Sequence, residues 1–279
     1  MNILITGSSG FIGSELSKRF LDMGYRVTGL DIQPGSVKMN NFIHTTLGCV
    51  LKKEVFYDTD LVIHAAYDTT PGSFRKNVEG TKQWHIQAQK AGAKRQLFFT
   101  SYSAHADAPS DYGKAKYLLE KYFLKHNELI LRPGLVIGKG GSYDRLAQFL
   151  AQKKVVPILG GNAIKTAITH IDVLCQTITN FQSLEQGYVY NIFQPESIGL
   201  SDMANMIRKY HGASGVTFPV PIGISKILLK TAERLGIRLP NRYSDFMALL
   251  KSQEYGFESS YHKLGLNIEP IDQIVQKYC

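Results

Sequence analysis

The chain opens Met1-Asn2-Ile3-Leu4-Ile5-Thr6-Gly7-Ser8-Ser9-Gly10-Phe11-Ile12-Gly13. A short apolar run followed by three glycines at spacing three predicts a buried strand, a tight turn and the start of a helix that runs to Met23. Gly7 lets the chain turn sharply, Gly10 lets the backbone approach a pyrophosphate, and Gly13 lets the helix lie close on the sheet. The N–H groups at the helix start then face the phosphates, helped by the helix dipole. A second strand-like run, Tyr25–Leu30, ends at Asp31, 18 residues past Gly13. An acid there can hydrogen-bond a ribose 2′-hydroxyl and would repel a 2′-phosphate, which predicts NAD rather than NADP. An ordinary tight turn shows the same glycines. The strand before them, the helix after them and Asp31 separate the two readings.

Strand-like and helix-like segments alternate through Gly138. The strands fall at Asn2–Thr6, Arg26–Asp31, Phe42–Thr46, Leu61–Ala65, Gln96–Thr100 and Leu129–Pro133, with helical patterns at Gly13–Met23, Ser73–Ala91 and Ser110–His126. This alternation predicts βαβ units in an α/β, doubly wound parallel sheet of Rossmann type with a small C-terminal substrate lobe. Beyond Gly138 the rhythm becomes irregular. Asp144–Lys153 reads as a helix, Thr169–Val173 opens another, and Tyr188–Phe193 is strand-like. Ser201–Tyr210 and Ser225–Leu235 are helical patterns with serine caps, the second followed by Gly236. Residues 1–138 are expected to form an NAD-binding core to which segments at about 165–195 return, and 139–279 mostly a substrate-binding lobe.

Of 279 residues, 44% are apolar and 20% charged, ordinary for a folded domain. The formal charge is +9. Positive excess lies in Gly72–Thr100, with six basic residues and one acidic, and in Lys139–His170, with five and one. Neither stretch interleaves a dense basic block with aromatics, so no nucleic-acid groove is expected. A solvated basic surface and attraction of an anionic substrate, such as a sugar nucleotide, both fit. Cys49, Cys175 and Cys279 are odd in number and far apart, which predicts a reducing compartment and no metal or zinc site. No run of 18 apolar residues occurs, and a strand starting at Ile3 leaves no room for a cleavable signal. The expected location is cytoplasmic, without stable membrane insertion. The basic amphipathic stretch Ile224–Gly236 could lie on a membrane surface, but Leu228, Leu229 and Leu235 are expected to bury against the core or a partner.

Tyr112 and Lys116 stand four apart in a helical segment and therefore share a face. A phenol with a pKa of about 10 must drop by about three units, roughly 4 kcal/mol, to act as a base near neutrality. One ammonium about 4 Å away, at an effective dielectric near 20, supplies about 4 kcal/mol. One lysine is enough in principle, although Tyr and Lys also meet at this spacing by chance on surface helices.

Taken in order, TGxxGxxG at Thr6–Gly13, Asp31, His64-Ala65-Ala66, Asn77-Val78-Glu79-Gly80-Thr81 and YxxxK at Tyr112 resemble the extended short-chain dehydrogenase/reductase family, in its NAD-dependent epimerase/dehydratase branch. The resemblance continues through Leu131-Arg132-Pro133-Gly134, Thr169–Val173 and His262–Leu266, and covers nearly the whole chain. It implies that Gly7, Gly10, Phe11, Ile12 and Gly13 hold the pyrophosphate, Asp31 the adenosine ribose, and Ala65 and Ala66 the cofactor's middle. Lys116 would also bond the nicotinamide ribose, with Pro133 and Val136 lining the nicotinamide pocket. Tyr112 would exchange the substrate hydroxyl proton. The family's active-site serine falls, by plain count, on Tyr102; the short loop before Tyr112 favours Ser101 over Ser103. Asn77 is either a supporting group or a backbone pin. Cys49 stands where many relatives carry an aspartate on adenine. His64, His170, Asp172 and Trp84 are expected to pack or cap. Arg145, Lys165, Arg208 and Arg242 could meet a diphosphate.

What the resemblance implies is an oxidoreductase or epimerase acting on a carbinol carbon, most naturally of an anionic nucleotide sugar. A dehydratase would carry an Asp-Glu pair beside the serine, and none is present. The alternatives are a reductase or dehydrogenase of an apolar or sterol-like alcohol, and a non-catalytic NAD-binding subunit or sensor. A homodimer through Ser73–Ala91 and Ser110–His126 is also implied.

Overall fold

Ile3, Leu4 and Ile5 are buried, as are Leu61–Ile63, Leu97–Phe99 and Leu129–Leu131. Apolar runs this continuous belong to parallel strands covered on both faces. The computed structural model describes residues 1–237, 243–251, 255–256, 260, 263–266 and 268–279. In chain order its main elements are β1 (Asn2–Thr6), α1 (Phe11–Asp22), β2 (Arg26–Asp31), β3 (Asn41–His44), β4 (Leu61–His64), α2 (Phe74–Lys90), β5 (Gln96–Phe99), α3 (Asp111–Lys125) and β6 (Leu129–Pro133). Then come β7 (Leu135–Ile137), α4 (Ser142–Gln152), β8 (Val155–Leu159), β9 (Lys165–Thr166), β10 (Ile168–His170), α5 (Ile171–Thr179) and β11 (Val189–Ile192). The chain ends with β12 (Ile198–Gly199), α6 (Leu200–Tyr210), β13 (Val216–Val220), α7 (Ile222–Arg234), α8 (Tyr243–Leu250) and a helix at Ile271–Lys277.

Two compact units share the chain. The first comprises Met1–Ala104, Ala115–Arg132 and Leu174–Tyr190. It carries the seven-stranded sheet, ordered β11-β6-β5-β4-β1-β2-β3. The chain leaves β1 toward β2 and β3 on one side and reaches β4, β5 and β6 on the other, all paired in parallel. This is the doubly wound order, and its reversal opens a crevice outside the carboxyl ends of β1 and β4. On one face Leu4, Leu30 and Val62 pack against Trp84 and Ala88 of α2, and Phe98 and Ile130 against Leu119 and Phe123 of α3.

The second unit comprises His105–Lys114, Pro133–Val173 and Asn191–Cys279. It is built on three two-stranded ribbons, β7–β10, β9–β12 and β8–β13. Ile137, Tyr143, Leu150, Ile168 and Ile207 form its main core with Ile274 and Val275.

Several local expectations are corrected. The third strand is Asn41–His44, so it ends sooner than expected and Cys49 lies beyond it. A short strand, Ile168–His170, precedes the helix expected from Thr169. Ser201 lies inside the first turn of α6, whose N-cap is Gly199. Likewise α7 starts at Ile222 after Pro221, because proline has the φ a helix start needs and no N–H to satisfy. Ser225 is buried inside α7, its hydroxyl turned back on the carbonyls of Val220 and Pro221. Leu229 is buried as expected, but Leu228 and Leu235 face solvent. Among the described residues no helix is long and apolar enough to cross a membrane.

Candidate active site

Gly7 adopts φ +70°, and its N–H donates to the Leu30 carbonyl at 2.8 Å. A Cβ at Gly7 would lie 2.7 Å from the Ala66 backbone, and one at Gly13 would lie 2.2 Å from the Gly7 carbonyl oxygen. These close approaches draw the loop, the helix and the end of β4 together. Ala66 N–H also donates to Thr6 Oγ1 at 3.1 Å, and Ala65 N–H to the Thr6 carbonyl at 3.2 Å. Gly10 differs: a Cβ there would meet only the Gly7 carbonyl oxygen, at 3.2 Å, and otherwise open space. α1 starts immediately after it with no side-chain cap, leaving the N–H groups of Phe11, Ile12 and Gly13 for an anion.

Asp31 closes β2 beside this loop. Its carboxylate accepts the Ser9 N–H at 2.9 Å and the Ile32 N–H at 2.7 Å, and the Ser9 hydroxyl donates to the Gln33 carbonyl at 2.6 Å. An open cradle over a helix start, with a fixed carboxylate at the next strand end, is the donor and acceptor set a dinucleotide requires, so these residues fit NAD.

Lys116 is buried to 5% exposure. Its Nζ donates to the Phe99 carbonyl at 2.7 Å and lies 4.8 Å over the Phe98 ring and 5.3 Å over the Tyr67 ring. The ammonium therefore sits at the carboxyl ends of β5 and β4. Burial pulls its pKa down to about 7. One turn farther along α3, Glu120 fixes the helix: it accepts the Thr100 hydroxyl at 2.7 Å and Arg132 Nη2 at 2.5 Å, all three groups being buried. Sequence reasoning missed this clamp, although its signal was present in the third member of a Tyr112, Lys116, Glu120 row at spacing four. Tyr112 precedes Lys116 by one turn, roughly 6 Å nearer the helix start, and is 40% exposed.

Ser101 is buried just past β5, and its Oγ accepts the Ser103 N–H at 3.2 Å. Asn77 is buried; its Oδ1 accepts the Asp68 N–H at 2.7 Å and its Nδ2 donates to the Asp68 carbonyl at 2.8 Å. It thereby pins the loop that follows Ala65, Ala66 and Tyr67. Burial pulls the His64 imidazole down to about 3, and the ring bonds Gln96 at 2.8 Å and packs on Phe123. That ring stays neutral at working pH. The Cys49 carbonyl accepts the Trp84 indole N–H at 2.8 Å.

In the second unit Pro133 is buried and Val136 half-buried, and the intervening Gly134 donates its N–H to Thr169 Oγ1 at 2.8 Å. His170 is buried between Glu269, 2.8 Å from Nδ1, and Asp172, 3.2 Å from Nε2. Arg145 is exposed and bonds Ser142 at 3.0 Å. Lys165 lies on the rim of a cavity of about 500 Å³ that also exposes Glu196, Asp202 and Asp272. Arg208 is corrected from a diphosphate candidate to an internal brace: it is buried and donates to the carbonyls of Leu150, Lys153 and Ser214. Arg242 and His262 lie outside the described residues.

Similarity to known proteins follows the same lines. Residues 3–164 match the family model described as the NAD dependent epimerase/dehydratase family. Over 117 residues, 36% of this chain and 32% of the relative, the sequence is 30% identical to a 3-beta-hydroxysteroid dehydrogenase of Mycolicibacterium neoaurum. In fold, the chain is similar to MoeE5 in complex with UDP-glucuronic acid and NAD, with TM-score 0.79, 20% identity and coverage of 100% of this chain and 97% of that one. It is also similar to UDP-glucose 4-epimerase with UDP-glucose from Thermotoga maritima, with TM-score 0.74, 18% identity and coverage of 99% and 96%. Matching the family model over more than half its length and folding as a doubly wound sheet, the chain belongs to the NAD-dependent epimerase/dehydratase family and is an NAD-dependent enzyme of it.

Proposed function

We propose that this enzyme transfers hydride reversibly between NAD and a carbinol carbon of a nucleotide sugar, with Tyr112, Lys116 and Ser101 as the catalytic residues. The observation that carries this reading is the buried Lys116 ammonium at the carboxyl end of β5, one helical turn from Tyr112. Residues 1–138, with the returning segments at about 165–195, then serve as the cofactor core and the rest of 139–279 mostly as the substrate lobe. The backbone of Gly7, Gly10, Phe11, Ile12 and Gly13 holds the pyrophosphate, Asp31 the adenosine ribose, and Ala65 and Ala66 pack beside the cofactor. Pro133 and Val136 face the nicotinamide. Asn77 supports the site by fixing the loop at Asp68, and Ser103, Arg145, Lys165 and Arg242 contact substrate.

When bound, NAD accepts the hydride that leaves the carbinol carbon. Tyr112 takes the hydroxyl proton as the phenolate, Ser101 Oγ donates a hydrogen bond to the substrate oxygen, and Lys116 stabilises the phenolate and holds a ribose hydroxyl. Loss of the proton to Tyr112 and of the hydride from carbon leaves the carbinol oxidised to a ketone. Epimerisation follows if the ketone turns its other face before the hydride returns.

A non-catalytic NAD-binding sensor would need Lys116 for the ribose but not Tyr112, so the intact Tyr112–Lys116 pair disfavours that reading. Oxidation of an apolar secondary alcohol is the second reading, favoured by the 30% identity to the steroid dehydrogenase. Thermal-shift screening with NAD present, using UDP-, GDP- and dTDP-sugars alongside a 3β-hydroxysteroid, tests both. A rise in melting temperature with a nucleotide sugar is expected. A rise with the steroid alone replaces the first reading by the second. Cysteines that form no disulfide support a cytoplasmic setting, and a homodimer through α2 and α3 is part of the same proposal.

A further inference from the structure

Helix α7 has two apolar faces. Ser225, Leu229 and Ala232 turn inward, Leu229 packing with Ile164 and Phe246. On the other face Ile224, Ile227 and Leu228 are 52%, 67% and 50% exposed, and Leu235, at the helix end, is 69% exposed. At 100° per residue these four fall with Thr231 on one stripe roughly 100° wide. Lys226, Lys230 and Arg234 follow one another at spacing four on the face that leads away from the Ile227 edge of the stripe, Arg234 roughly 20°, Lys230 roughly 60° and Lys226 roughly 100° round from Ile227. Glu233 lies away from the stripe, and its carboxylate accepts the Tyr243 N–H at 2.8 Å.

A helix with one face in a core ordinarily presents polar residues on the other. Four large aliphatics in a row toward water mark a contact surface. The three cations decide what covers it. A second copy docking its α7 antiparallel across a two-fold axis would bring its own cations to the same rim, setting like charges opposite each other. An anionic lipid surface instead offers phosphates to the cations and an apolar layer to the stripe. The ribbon that feeds α7 repeats the pattern: Val155 pairs with Val216, both are exposed along with Phe218, and Lys153 and Lys154 precede them. With 13 residues, α7 is roughly 20 Å long, too short for a hydrocarbon core of about 30 Å. It can lie on a bilayer but cannot cross it.

We propose that α7 docks this protein reversibly on an anionic membrane surface, its aliphatic stripe entering the headgroup–acyl boundary and Arg234 and the long side chain of Lys226 meeting lipid phosphates. This proposal is independent of the substrate assigned above.

The test is co-sedimentation of the full chain with phosphatidylglycerol-containing vesicles and, separately, with pure phosphatidylcholine vesicles. The protein is expected to pellet with the anionic vesicles only, and to release at high salt as the Debye length shrinks. Lys226→Gln with Arg234→Gln should weaken partitioning roughly 30-fold; Lys230 is left in place because its ammonium lies 4.9 Å over the Tyr243 ring. Ile227→Gln with Leu228→Gln should lose binding while the melting temperature holds. Absence of pelleting, equal pelleting with neutral vesicles, or variants that bind like the parent would overturn the proposal. So would a concentration-dependent dimer abolished by the Ile227→Gln, Leu228→Gln pair, which would assign the stripe to a second copy.

Discussion

Replacing Lys116 by methionine should make the protein more stable at neutral pH while ending turnover, and the gain should fade as pH rises. Burial lowers the lysine from 10.5 to about 7. Between those values the unfolded chain carries a proton that the folded chain lacks, so folding stability climbs with pH at up to about 1.4 kcal/mol per unit. The penalty is present in full below about pH 7 and vanishes as pH approaches 10.5. Across the whole interval it amounts to roughly 5 kcal/mol. Methionine keeps the unbranched stem and removes the charge, but it leaves the Phe99 carbonyl without the 2.7 Å bond from Nζ, a loss of about 1–3 kcal/mol. A net gain of roughly 2–4 kcal/mol corresponds to about 4–8 °C in a chain of this size. The assay is calorimetric melting of both proteins, without cofactor, at pH 6.5, 8 and 9.5. A gap between them that stays constant across that range would refute the assignment of the lost stability to a buried, titrating lysine.

Tyr112→Phe should leave NAD affinity nearly unchanged in a fluorescence titration and lower turnover by a factor of at least about 100, because only the oxygen proposed to exchange the proton is lost. Asp31→Ala should weaken NAD more than NADP; a larger loss for NADP in parallel titrations would overturn the cofactor preference. Gly13→Ala places a methyl 2.2 Å from the Gly7 carbonyl oxygen and should destabilise by about 1–3 kcal/mol in urea unfolding, with NAD binding impaired. Glu120→Gln leaves the buried Arg132 without its carboxylate at 2.5 Å and should reduce stability by about 3–5 kcal/mol. A neutral result in chemical denaturation would mean that α3 is fixed by its apolar contacts alone.

The fold was legible because its signals are local and mutually consistent. An apolar run, a glycine triplet and an acid at the next strand end can each be read within thirty residues, and β1, α1 and β2 fall where those signals put them. The two serine caps were misread for a physical reason: proline and glycine also begin helices, and Ser225 could as easily bond backward inside the helix as cap it. Periodicity identified α7 as amphipathic without saying which of its two apolar stripes would find a partner in the core; only packing against Ile164 and Phe246 settled that for Leu229. The arginine at position 208 shows the same limit. Its charge is visible in sequence, but two of the three carbonyls that hold it, those of Leu150 and Lys153, come from residues 58 and 55 positions earlier in the chain.

Lys116 shows where sequence arithmetic changes once burial is known. Counting residues alone, the ammonium is a fixed charge that acidifies a phenol one turn away. A lysine pulled by burial from 10.5 down to about 7 is not a fixed charge; near neutral pH the neutral amine competes with the ammonium. Formation of a phenolate at Tyr112 reverses that balance, because the new negative charge favours the ammonium over the neutral amine. Proton release from the phenol in the proposed reaction would then be matched by proton retention on the lysine. In the mechanism proposed above, the burial that destabilises the resting enzyme would make the ammonium strongest when the reacting oxygen is charged, which is the state a catalyst must favour over its ground state.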